Sequence, residues 1–335
     1  MNKKAIVLFS GGLDSILAAK LMLEQGVDVL AINFSAKLCM CGYKATGESQ
    51  VEMAAKMLKV PLKTIDMTED FIGMIKNPRY GHGANMNPCI DCKIYMLRHA
   101  KEMMDEVNAS FLVTGEVLGE RPMSQRRDAL DLIEKRADVK GILLRPLTAR
   151  NLEETLPEKE GIVERDKLLD IRGRSRKPQI ALAQKFGIKK YPNPAGGCLL
   201  TDPGFANRVR DAIKHDEFDA ENLALLSVGR HFRLSDKARL VVGRDEAENN
   251  ILLSIAGSDD TLFELKDHEG PIAILRIKNG ADDGLINLAA SIAAYHTKFR
   301  LEESIRIDYW RGSEAHKKLI NIKPAGKEGV ESLRL

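Results

Sequence analysis

A segment near the start of the chain reads SGGLDS at residues 10–15, a combination of residue types that suits a phosphate group. It follows the apolar run Ala5–Phe9 and precedes apolar residues at helical spacing, so the pattern predicts a strand, a tight turn and a helix start. Glycines let backbone approach a ligand closely, and the unpaired N–H groups of a helix N-terminus favour an anion. Asp14 fits this segment if a magnesium ion accompanies the anion, because hard cations take carboxylate ligands.

The chain holds five cysteines, an odd number that disfavours a framework of structural disulfides. Cys89-x-x-Cys92 places two thiols within reach of one metal ion or of each other. A helix is predicted to start at Lys93, and a thiol at a helix N-terminus is shifted toward the thiolate, its reactive form. Cys198 follows two glycines, which let the backbone bring its thiol close to another group. This pattern indicates redox, metal or sulfur chemistry.

Three kinds of chemistry fit these thiols, and the residues do not choose among them. In the first, Cys89, Cys92 and Cys198 hold an iron–sulfur cluster with one iron left open for a sulfide. In the second, Cys92 or Cys198 carries a persulfide that a partner thiol resolves as a disulfide. In the third, the C-x-x-C pair belongs to a structural zinc site, which usually has four ligands.

Cys39, Cys41 and His82 are the candidates for completing such a zinc site. Cys39 and Cys41 are too closely spaced to chelate a metal ion readily alone, so a second redox pair or two buried thiols fit equally well. His82 stands in a long predicted loop, residues 77–92, and its alternative is a loop histidine with no ligand.

Alternating apolar segments must position these residues. Segments of strand type alternate with segments of helical type, which predicts an α/β fold with a doubly wound parallel sheet. The predicted strands are 5–9, 28–34, 62–66, 111–115 and 142–145, and the predicted helices are 15–25, 46–58, 93–107 and 125–137.

Ligands of such sheets bind beyond the carboxyl ends of the strands. Residues 10–15 lie at one of these ends, Asn33 and Phe34 follow the second strand, and Thr114 and Gly115 follow the fourth. We therefore expect these three loops to converge on one ligand.

The pattern changes after residue 147, which predicts three parts with bounds at 1–147, 148–205 and 206–335. The middle part is a small basic adaptor that carries Cys198. The last part is a smaller α+β domain, in which two Gly–Arg segments near residues 229–234 and 239–244 repeat a basic and apolar theme. Its predicted helices are 204–215, 245–256 and 283–293, and its predicted strands are 239–242 and 271–276. Residues 317–335 are polar, and we expect them to be frayed.

Composition is that of a globular protein, with 44% hydrophobic and 30% charged residues in 335 and a net charge of +3. That mild charge neither requires nor excludes a nucleic-acid partner. The first apolar run is too short for a signal peptide and Asp14 interrupts it, and no run of about 18 apolar residues occurs. We expect a cytoplasmic protein with no membrane partner.

The SGGLDS segment resembles the pyrophosphate loop of the PP-loop ATP pyrophosphatases, S-G-G-x-D-S, at every fixed position. The resemblance implies an adenine nucleotide alpha hydrolase-like fold, cleavage of Mg²⁺-bound ATP to AMP and pyrophosphate, and adenine seated after the second strand. The residues that it assigns to ATP are Ser10, Gly11, Gly12, Asp14, Ser15, Asn33, Phe34, Thr114 and Gly115.

The order of the loop, N-P-x-x-x-C, T-G and a glycine-preceded cysteine resembles the tRNA 2-thiouridine synthases over residues 1–205. Cys92 and Cys198 stand at the positions of that family's two catalytic cysteines. Cys89 departs from the pattern, and with it the chain looks like the tRNA thiolases that hold a [4Fe–4S] cluster on three cysteines, here Cys89, Cys92 and Cys198. The stretch Gly229–Asn250 looks like the RNA-binding domain of the NFACT proteins.

The resemblance implies an ATP-dependent tRNA sulfurtransferase that adenylates a uridine carbonyl oxygen and replaces it with sulfur, giving a product like 2-thiouridine. Asp14, Cys92 and Cys198 would be catalytic, and sulfide or a persulfide-carrying protein would donate the sulfur. Phosphate contacts with tRNA are expected from basic side chains. These are Arg121, Arg126, Arg127, Arg172, Arg174, Arg176 and Lys177, then Arg230, Arg233 and Arg244.

Three alternatives remain open at this point. The same ATP site could serve a small molecule, as in an amide ligase or an enzyme of cofactor sulfur transfer. A non-enzymatic RNA-binding protein with a nucleotide switch would need no cysteines. The modified atom could also be the 4-oxygen, which would make 4-thiouridine in tRNA.

Overall fold

The computed structural model describes residues 2–36, 49–191, 198–278, 283–312 and 316–335. The predictions for Cys39, Cys41 and the two glycines before Cys198 lie outside these residues. The chain divides into two compact units, residues 1–201 and 202–335. The adaptor of residues 148–205 is not divided from the first unit, and as a separate module it stays a prediction.

The first unit is built on a five-stranded parallel sheet with the order β3-β2-β1-β4-β5. Ala5, Ile6 and Val7 of the central strand are fully buried, as expected for a strand covered on both faces. The predicted doubly wound sheet is therefore confirmed. The strands are β1 (Lys4–Leu8), β2 (Asp28–Ser35), β3 (Leu62–Asp66), β4 (Phe111–Val113) and β5 (Leu143–Leu144).

Helices cover both faces of this sheet. They are α1 (Leu13–Glu24), α2 (Gln50–Leu58), α3 (Thr68–Lys76), α4 (Cys89–Glu106), α5 (Arg127–Ala137), α6 (Leu156–Lys159) and α7 (Lys177–Lys185). Apolar residues of α1, α2 and α7 pack on one side, and those of α4 and α5 pack on the other. The sequence pattern missed α3, whose apolar Phe71, Ile72 and Ile75 make too short a repeat to stand out. Helix α4 begins at Cys89, one turn earlier than predicted.

The second unit holds a six-stranded antiparallel sheet with the order β11-β10-β8-β9-β7-β6, which confirms the smaller α+β domain. Its strands are β6 (Arg230–Ser235), β7 (Ala238–Val242), β8 (Thr261–Leu265), β9 (Ala273–Ile277), β10 (Ile305–Arg311) and β11 (Lys318–Ile322). Its helices are α8 (Pro203–Lys214), α9 (Leu223–Leu226), α10 (Glu246–Ile255), α11 (Asp283–Tyr295) and α12 (Lys327–Leu333). Within the described ranges, no helix has both the length and the apolar character needed to cross a bilayer.

The prediction of a frayed tail is wrong. Residues 318–322 form β11 against β10, and α12 follows. Val330 of α12 is fully buried in the same apolar cluster as Phe232, and the Leu335 amide donates to the His231 carbonyl over 3.0 Å. The buried Val330, a few partly buried apolar side chains and backbone pairing hold this largely polar segment.

Candidate active site

The SGGLDS segment forms the predicted strand, turn and helix start. Gly11 has a φ of +71°, and a Cβ there would lie 2.9 Å from the Cα of Val51 in α2. The Ser15 hydroxyl donates to the Gly12 carbonyl over 2.9 Å, and the Ser10 and Ser15 hydroxyls lie 3.3 Å apart. Both hydroxyls and the first turn of α1 therefore meet at the carboxyl end of β1.

Gly115, after β4, lies directly against the start of α1. A Cβ on Gly115 would stand 2.5 Å from the carbonyl carbon and oxygen of Asp14 and 2.6 Å from the Ser15 nitrogen. These are backbone atoms, which cannot rotate away as a side chain can. Glycine at position 115 is thus required by a close backbone approach between two of the three predicted ligand loops.

Replacing Gly115 with alanine should destabilise the protein by about 1–3 kcal/mol, because the added methyl forces two backbone segments apart. The matched control is Gly73→Ala in α3, where a Cβ meets nothing within 4 Å. That control should be neutral or stabilising by about 0.4–1 kcal/mol. Urea unfolding midpoints of the two variants measure the difference, and equal midpoints would contradict the contact.

One cavity of about 220 Å³ joins the three loops. Asn33 donates from its amide nitrogen to the Phe9 carbonyl over 2.9 Å, which fixes the end of β1, while Phe34 adds an aromatic ring to the cavity wall. The predicted ATP residues that line the cavity are Ser10, Asp14, Ser15, Asn33, Phe34, Thr114 and Gly115. Gly11 and Gly12 shape the turn beside it.

A buried charged cluster adjoins the cavity. The Arg176 guanidinium lies 3.0 Å from an Asp14 carboxylate oxygen and 2.6 Å from one of Glu120. Burial, with the nearby Glu120 charge adding to it, raises the pKa of Asp14 to about 6, although Arg176 and Arg121 oppose the rise.

The residues of this cluster fit a hard cation. The second oxygens of Asp14 and Glu120 are buried and have no hydrogen-bond partner among the described residues. The fully buried Gln179 amide lies beside Asp14, and its hydrogen bond to that carboxylate also opposes the rise of the pKa of Asp14. Buried polar atoms in proteins are normally paired. Two carboxylate oxygens and an amide oxygen are the donor types that Mg²⁺ takes.

A second charged network also lines the cavity, and sequence reasoning missed it. Lys93 lines the cavity with its ammonium 2.5 Å from one oxygen of Glu116, and Arg145 donates to the other oxygen over 2.9 Å. Arg145 also pairs with Glu134. Burial opposes ionisation of Glu116, but the charges of Lys93 and Arg145 prevail and lower its pKa to about 2. Sequence position could have indicated these two residues, because Glu116 directly follows Thr114-Gly115 and Lys93 directly follows Cys92.

The C-x-x-C thiols lie on the first turn of α4. The Asn87 side chain donates to the Cys89 sulfur over 3.2 Å. Burial, with the neighbouring Cys89 thiol, raises the pKa of Cys92 to about 12, despite the opposing charge of Lys93. The predicted shift of this thiol toward the thiolate is therefore wrong, because burial outweighs the helix N-terminus.

The segment after Cys198 packs against the loop that precedes α4. The Met86 amide donates to the Leu200 carbonyl over 3.1 Å, and Asn85 donates to the Thr201 carbonyl over 2.8 Å. Cys198 is close enough to contribute to the raised pKa of Cys92. The structure thus brings together segments that lie about a hundred residues apart in sequence.

These thiols do not form a metal-binding set in this structure. Among the described residues, no group of three or more His, Cys, Asp and Glu side chains is arranged to hold a metal ion. The [4Fe–4S] cluster on Cys89, Cys92 and Cys198 stays a prediction from the donor types. His82 pairs through Nε2 with the Ile75 carbonyl over 2.9 Å, as a loop histidine does.

The predicted tRNA-contacting side chains have different surroundings. Arg126 pairs with Asp128 over 2.7 Å, and Arg127 donates to the Asn151 carbonyl over 2.5 Å. Arg176 is held inside the charged cluster described above. The exposed members of the set are Arg126, Arg127, Arg172, Arg174 and Lys177, and Arg121 is half-buried. Their contacts with tRNA stay predictions.

Residues 1–172, or 172 of the chain's 335 residues, match the family model described as "Thiamine biosynthesis protein (ThiI)". The chain belongs to the ThiI family. Residues 229–334 of this ThiI-family chain match a second model, described as "NFACT protein RNA binding domain". These matches confirm both resemblances that the sequence motifs indicated.

Relatives of this ThiI-family chain carry names from tRNA modification. It is 28% identical over 242 residues to the tRNA-specific 2-thiouridylase MnmA 2 of Thermoanaerobacter sp. (strain X514). This match covers 65% of this chain and 62% of the relative. It is 31% identical over 163 residues to a probable tRNA sulfurtransferase of Ureaplasma parvum serovar 3, and this match covers 47% of this chain and 39% of the relative. The chain thus spans about three fifths or less of these relatives.

Two solved structures are also similar to the ThiI-family chain. One is a 4-thiouridine synthetase–RNA complex with bound ATP, at 20% identity and a TM-score of 0.36, covering 67% of this chain and 52% of that one. The other is the U34-tRNA thiolase NcsA from Methanococcus maripaludis with its [4Fe–4S] cluster. Its identity is 16%, its TM-score is 0.32, and the match covers 66% and 68% of the two chains.

Proposed function

We propose that this chain is an ATP-dependent tRNA sulfurtransferase, which activates a uridine carbonyl as its adenylate and replaces the oxygen with sulfur. One observation carries the proposal: Lys93 lines the cavity formed by the SGGLDS loop and directly follows Cys92. The proposed nucleotide site and the pair of thiols are therefore neighbours near the N-terminal end of α4. The tRNA-modification names of the relatives support the same reaction class.

ATP would bind with its phosphates at Ser10, Ser15 and the first turn of α1. Asp14 and Glu120 would hold a Mg²⁺ ion through the carboxylate oxygens that lack partners among the described residues. Bound there, the ion would offset charge on the departing pyrophosphate. Arg176, which now lies between the two carboxylates, would then be free to contact phosphate.

The reaction divides into two displacements. The uridine carbonyl oxygen attacks the α-phosphorus of ATP, and the bond to pyrophosphate breaks. A sulfur nucleophile then adds to the activated carbon, and AMP leaves with the original oxygen. Lys93 lines the cavity and is held there by Glu116, whose other oxygen pairs with Arg145, so Lys93 can stabilise negative charge that develops at the α-phosphate.

The sulfur-handling groups are proposed to be the thiols of Cys92 and Cys198, with Cys89 beside them. The family resemblance favours a [4Fe–4S] cluster on these three, and a persulfide on Cys198 is the alternative. Sulfide or a persulfide-carrying protein would supply the sulfur, and tRNA would be the acceptor.

Incubation of the anaerobically reconstituted protein with tRNA, Mg-ATP and sulfide tests this function. Digestion of the tRNA and mass analysis of its nucleosides should show a uridine with sulfur in place of oxygen. Chromatography against standards separates 2-thiouridine from 4-thiouridine. Without such a nucleoside, and with AMP release that tRNA does not stimulate, the reaction on a small molecule would be favoured instead.

Cys198→Ala should abolish thiolated nucleoside while AMP formation continues, because the nucleotide cavity is lined by other residues. Gln184→Ala, which changes an exposed side chain of α7 and removes no thiol, is the control and should retain product. Absorbance of the reconstituted protein in the visible range distinguishes a cluster, which this substitution should disturb, from a persulfide. Undiminished thiolation by Cys198→Ala would remove this residue from the chemistry.

A further inference from the structure

The loop of residues 77–88, which connects α3 to α4, is fastened to the helical turn that carries the C-x-x-C thiols. The Arg79 and Tyr80 amides donate to the two carboxylate oxygens of Asp91, over 3.0 and 3.1 Å. Asp91 stands on the first turn of α4, between the two cysteines of the motif. Because one side chain accepts both amides, the start of the loop is fixed relative to that turn.

Further contacts hold the middle of the loop. The Gly83 amide donates to the Asn87 carbonyl over 2.8 Å, and the Asn87 amide donates back to the Ala84 carbonyl over 3.3 Å. A Cβ on Gly83 would lie 2.9 Å from the Cγ of Met123, so the loop packs closely there. The Asn87 side chain is the donor to the Cys89 sulfur described above. The loop therefore contacts one of the thiols directly.

The same loop also holds the segment that contains Cys198. Asn85 donates from its side-chain amide to the Thr201 carbonyl over 2.8 Å. The Met86 amide donates to the Leu200 carbonyl over 3.1 Å. The Thr201 amide and hydroxyl both donate to the Cys198 carbonyl, over 2.9 and 2.7 Å. A series of hydrogen bonds thus joins the loop to the residue that bears the distant thiol.

Asn85 has two properties that suit it to this place. Its φ is +58°, in the left-handed region that asparagine adopts more readily than most residues. Its half-buried side chain supplies an N–H donor to the Cys198 segment. The bond from Met86 is made by the main chain and survives substitution, so an exchange at Asn85 weakens this attachment without removing it.

We propose that Asn85 is a positioning residue, which holds Cys198 beside the Cys89 and Cys92 thiols from a loop that Asp91 anchors. Sulfur transfer between groups from distant segments depends on holding them at a fixed separation. The role deepens the proposed function and rests on Cys198 taking part in sulfur transfer.

Crosslinking of the reduced full chain with dibromobimane, which links two neighbouring thiols by displacing one bromide at each, tests this role. Peptide mapping by mass spectrometry identifies the linked cysteines. Asn85→Gly tolerates the left-handed backbone but removes the donor. It should lower the yield of the link from Cys198 to the C-x-x-C pair about 2- to 10-fold, the change in population that loss of one neutral hydrogen bond produces. The Cys89–Cys92 link in the same sample is the internal reference.

Two further variants separate the hydrogen bond from a general loss of stability. Asn85→Asp keeps the size of the side chain, but a carboxylate cannot donate, so it should lose the Cys198 link at least as strongly. The matched control is Asn108→Gly, which replaces an exposed left-handed asparagine with φ of +53° at the other end of α4. Its ratio of the two links should equal that of the wild type.

A wild-type ratio in both Asn85→Gly and Asn85→Asp would overturn the role of Asn85. In the nucleoside assay, both variants should lose thiolated product by a similar factor while AMP formation is unchanged. The crosslink needs neither ATP nor tRNA, so it is independent of the proposed function. If the wild type makes no thiolated nucleoside but both variants lose the Cys198 link, the positioning of Cys198 stands and the proposed function fails.

Discussion

Asp14→Asn should reduce AMP formation by about 10²–10³-fold, the size of effect seen when one charge-stabilising group is removed from an active site. The substitution removes the negative charge proposed to hold Mg²⁺ beside the departing pyrophosphate. Steady-state AMP release with saturating Mg-ATP and tRNA measures the loss. The matched control is Asp28→Asn, an exposed aspartate at the start of β2, which should keep full activity.

The same substitution should not destabilise the fold. Because burial raises the pKa of Asp14 to about 6, the folded protein binds this proton more tightly than the unfolded chain does. Stability from this group is therefore fully present below pH 3.8 and is lost as pH rises to about 6, at a cost of up to about 3 kcal/mol. A neutral asparagine avoids that cost, so its melting temperature at pH 7 should equal or exceed that of the wild type.

Asp14 also predicts a pH dependence for the wild type. Its carboxylate must be ionised to hold the ion, so AMP formation should fall as pH drops below about 6. Full activity of Asp14→Asn, or a melting temperature well below that of the wild type, would contradict this account of the site.

Glu116→Gln should destabilise the protein by about 3–5 kcal/mol, because it leaves Lys93 and the buried Arg145 without their shared carboxylate. The control is Glu102→Gln on the exposed face of α4, which should change stability by no more than about 0.5 kcal/mol. Urea unfolding at pH 7 measures both. Loss of the carboxylate should also slow AMP formation, since Lys93 would no longer be fixed at the cavity.

Protonation of Glu116 at low pH should likewise destabilise the wild-type protein. The pKa of Glu116 is about 2 in the folded protein and 4.5 as a free side chain, so its contribution is present above pH 4.5 and is lost as pH falls toward 2. The double variant Glu116→Gln/Lys93→Gln should lose less stability than the sum of the two single variants, because the residues are in contact. Equal midpoints for Glu116→Gln and Glu102→Gln would refute the network.

Local patterns were sufficient for part of the fold and the site. The apolar run before residue 10 predicted β1, and the SGGLDS motif predicted a turn whose Ser10, Asp14 and Ser15 do line a cavity with Thr114 and Gly115. Those features depend on residues close together in sequence. The strands β6, β8, β10 and β11 were not predicted because each mixes polar with apolar residues, and pairing with neighbouring strands stabilises them.

The charged walls of the cavity could not be predicted, because they depend on residues distant in sequence. Charged residues such as Lys93, Glu116 and Arg145 are usually found on protein surfaces, and nothing in the sequence near them indicates burial. They pair only because the fold brings the carboxyl ends of β4 and β5 next to α4. The raised pKa of Cys92 has the same origin. A local rule about helix N-termini favoured the thiolate, whereas tertiary burial sets the observed direction.

The close approach of Gly115 to the Asp14 backbone joins the loop after β4 to the start of α1. The contact is between main-chain atoms, so the first turn of α1 and the segment after β4 cannot approach each other further. Glu116 directly follows Gly115, and its carboxylate pairs with the Lys93 ammonium. Lys93 in turn directly follows Cys92 in the sequence. If ATP binds at the glycine turn as proposed, a displacement of that turn would reach the residue beside Cys92 through this series of contacts within the first unit.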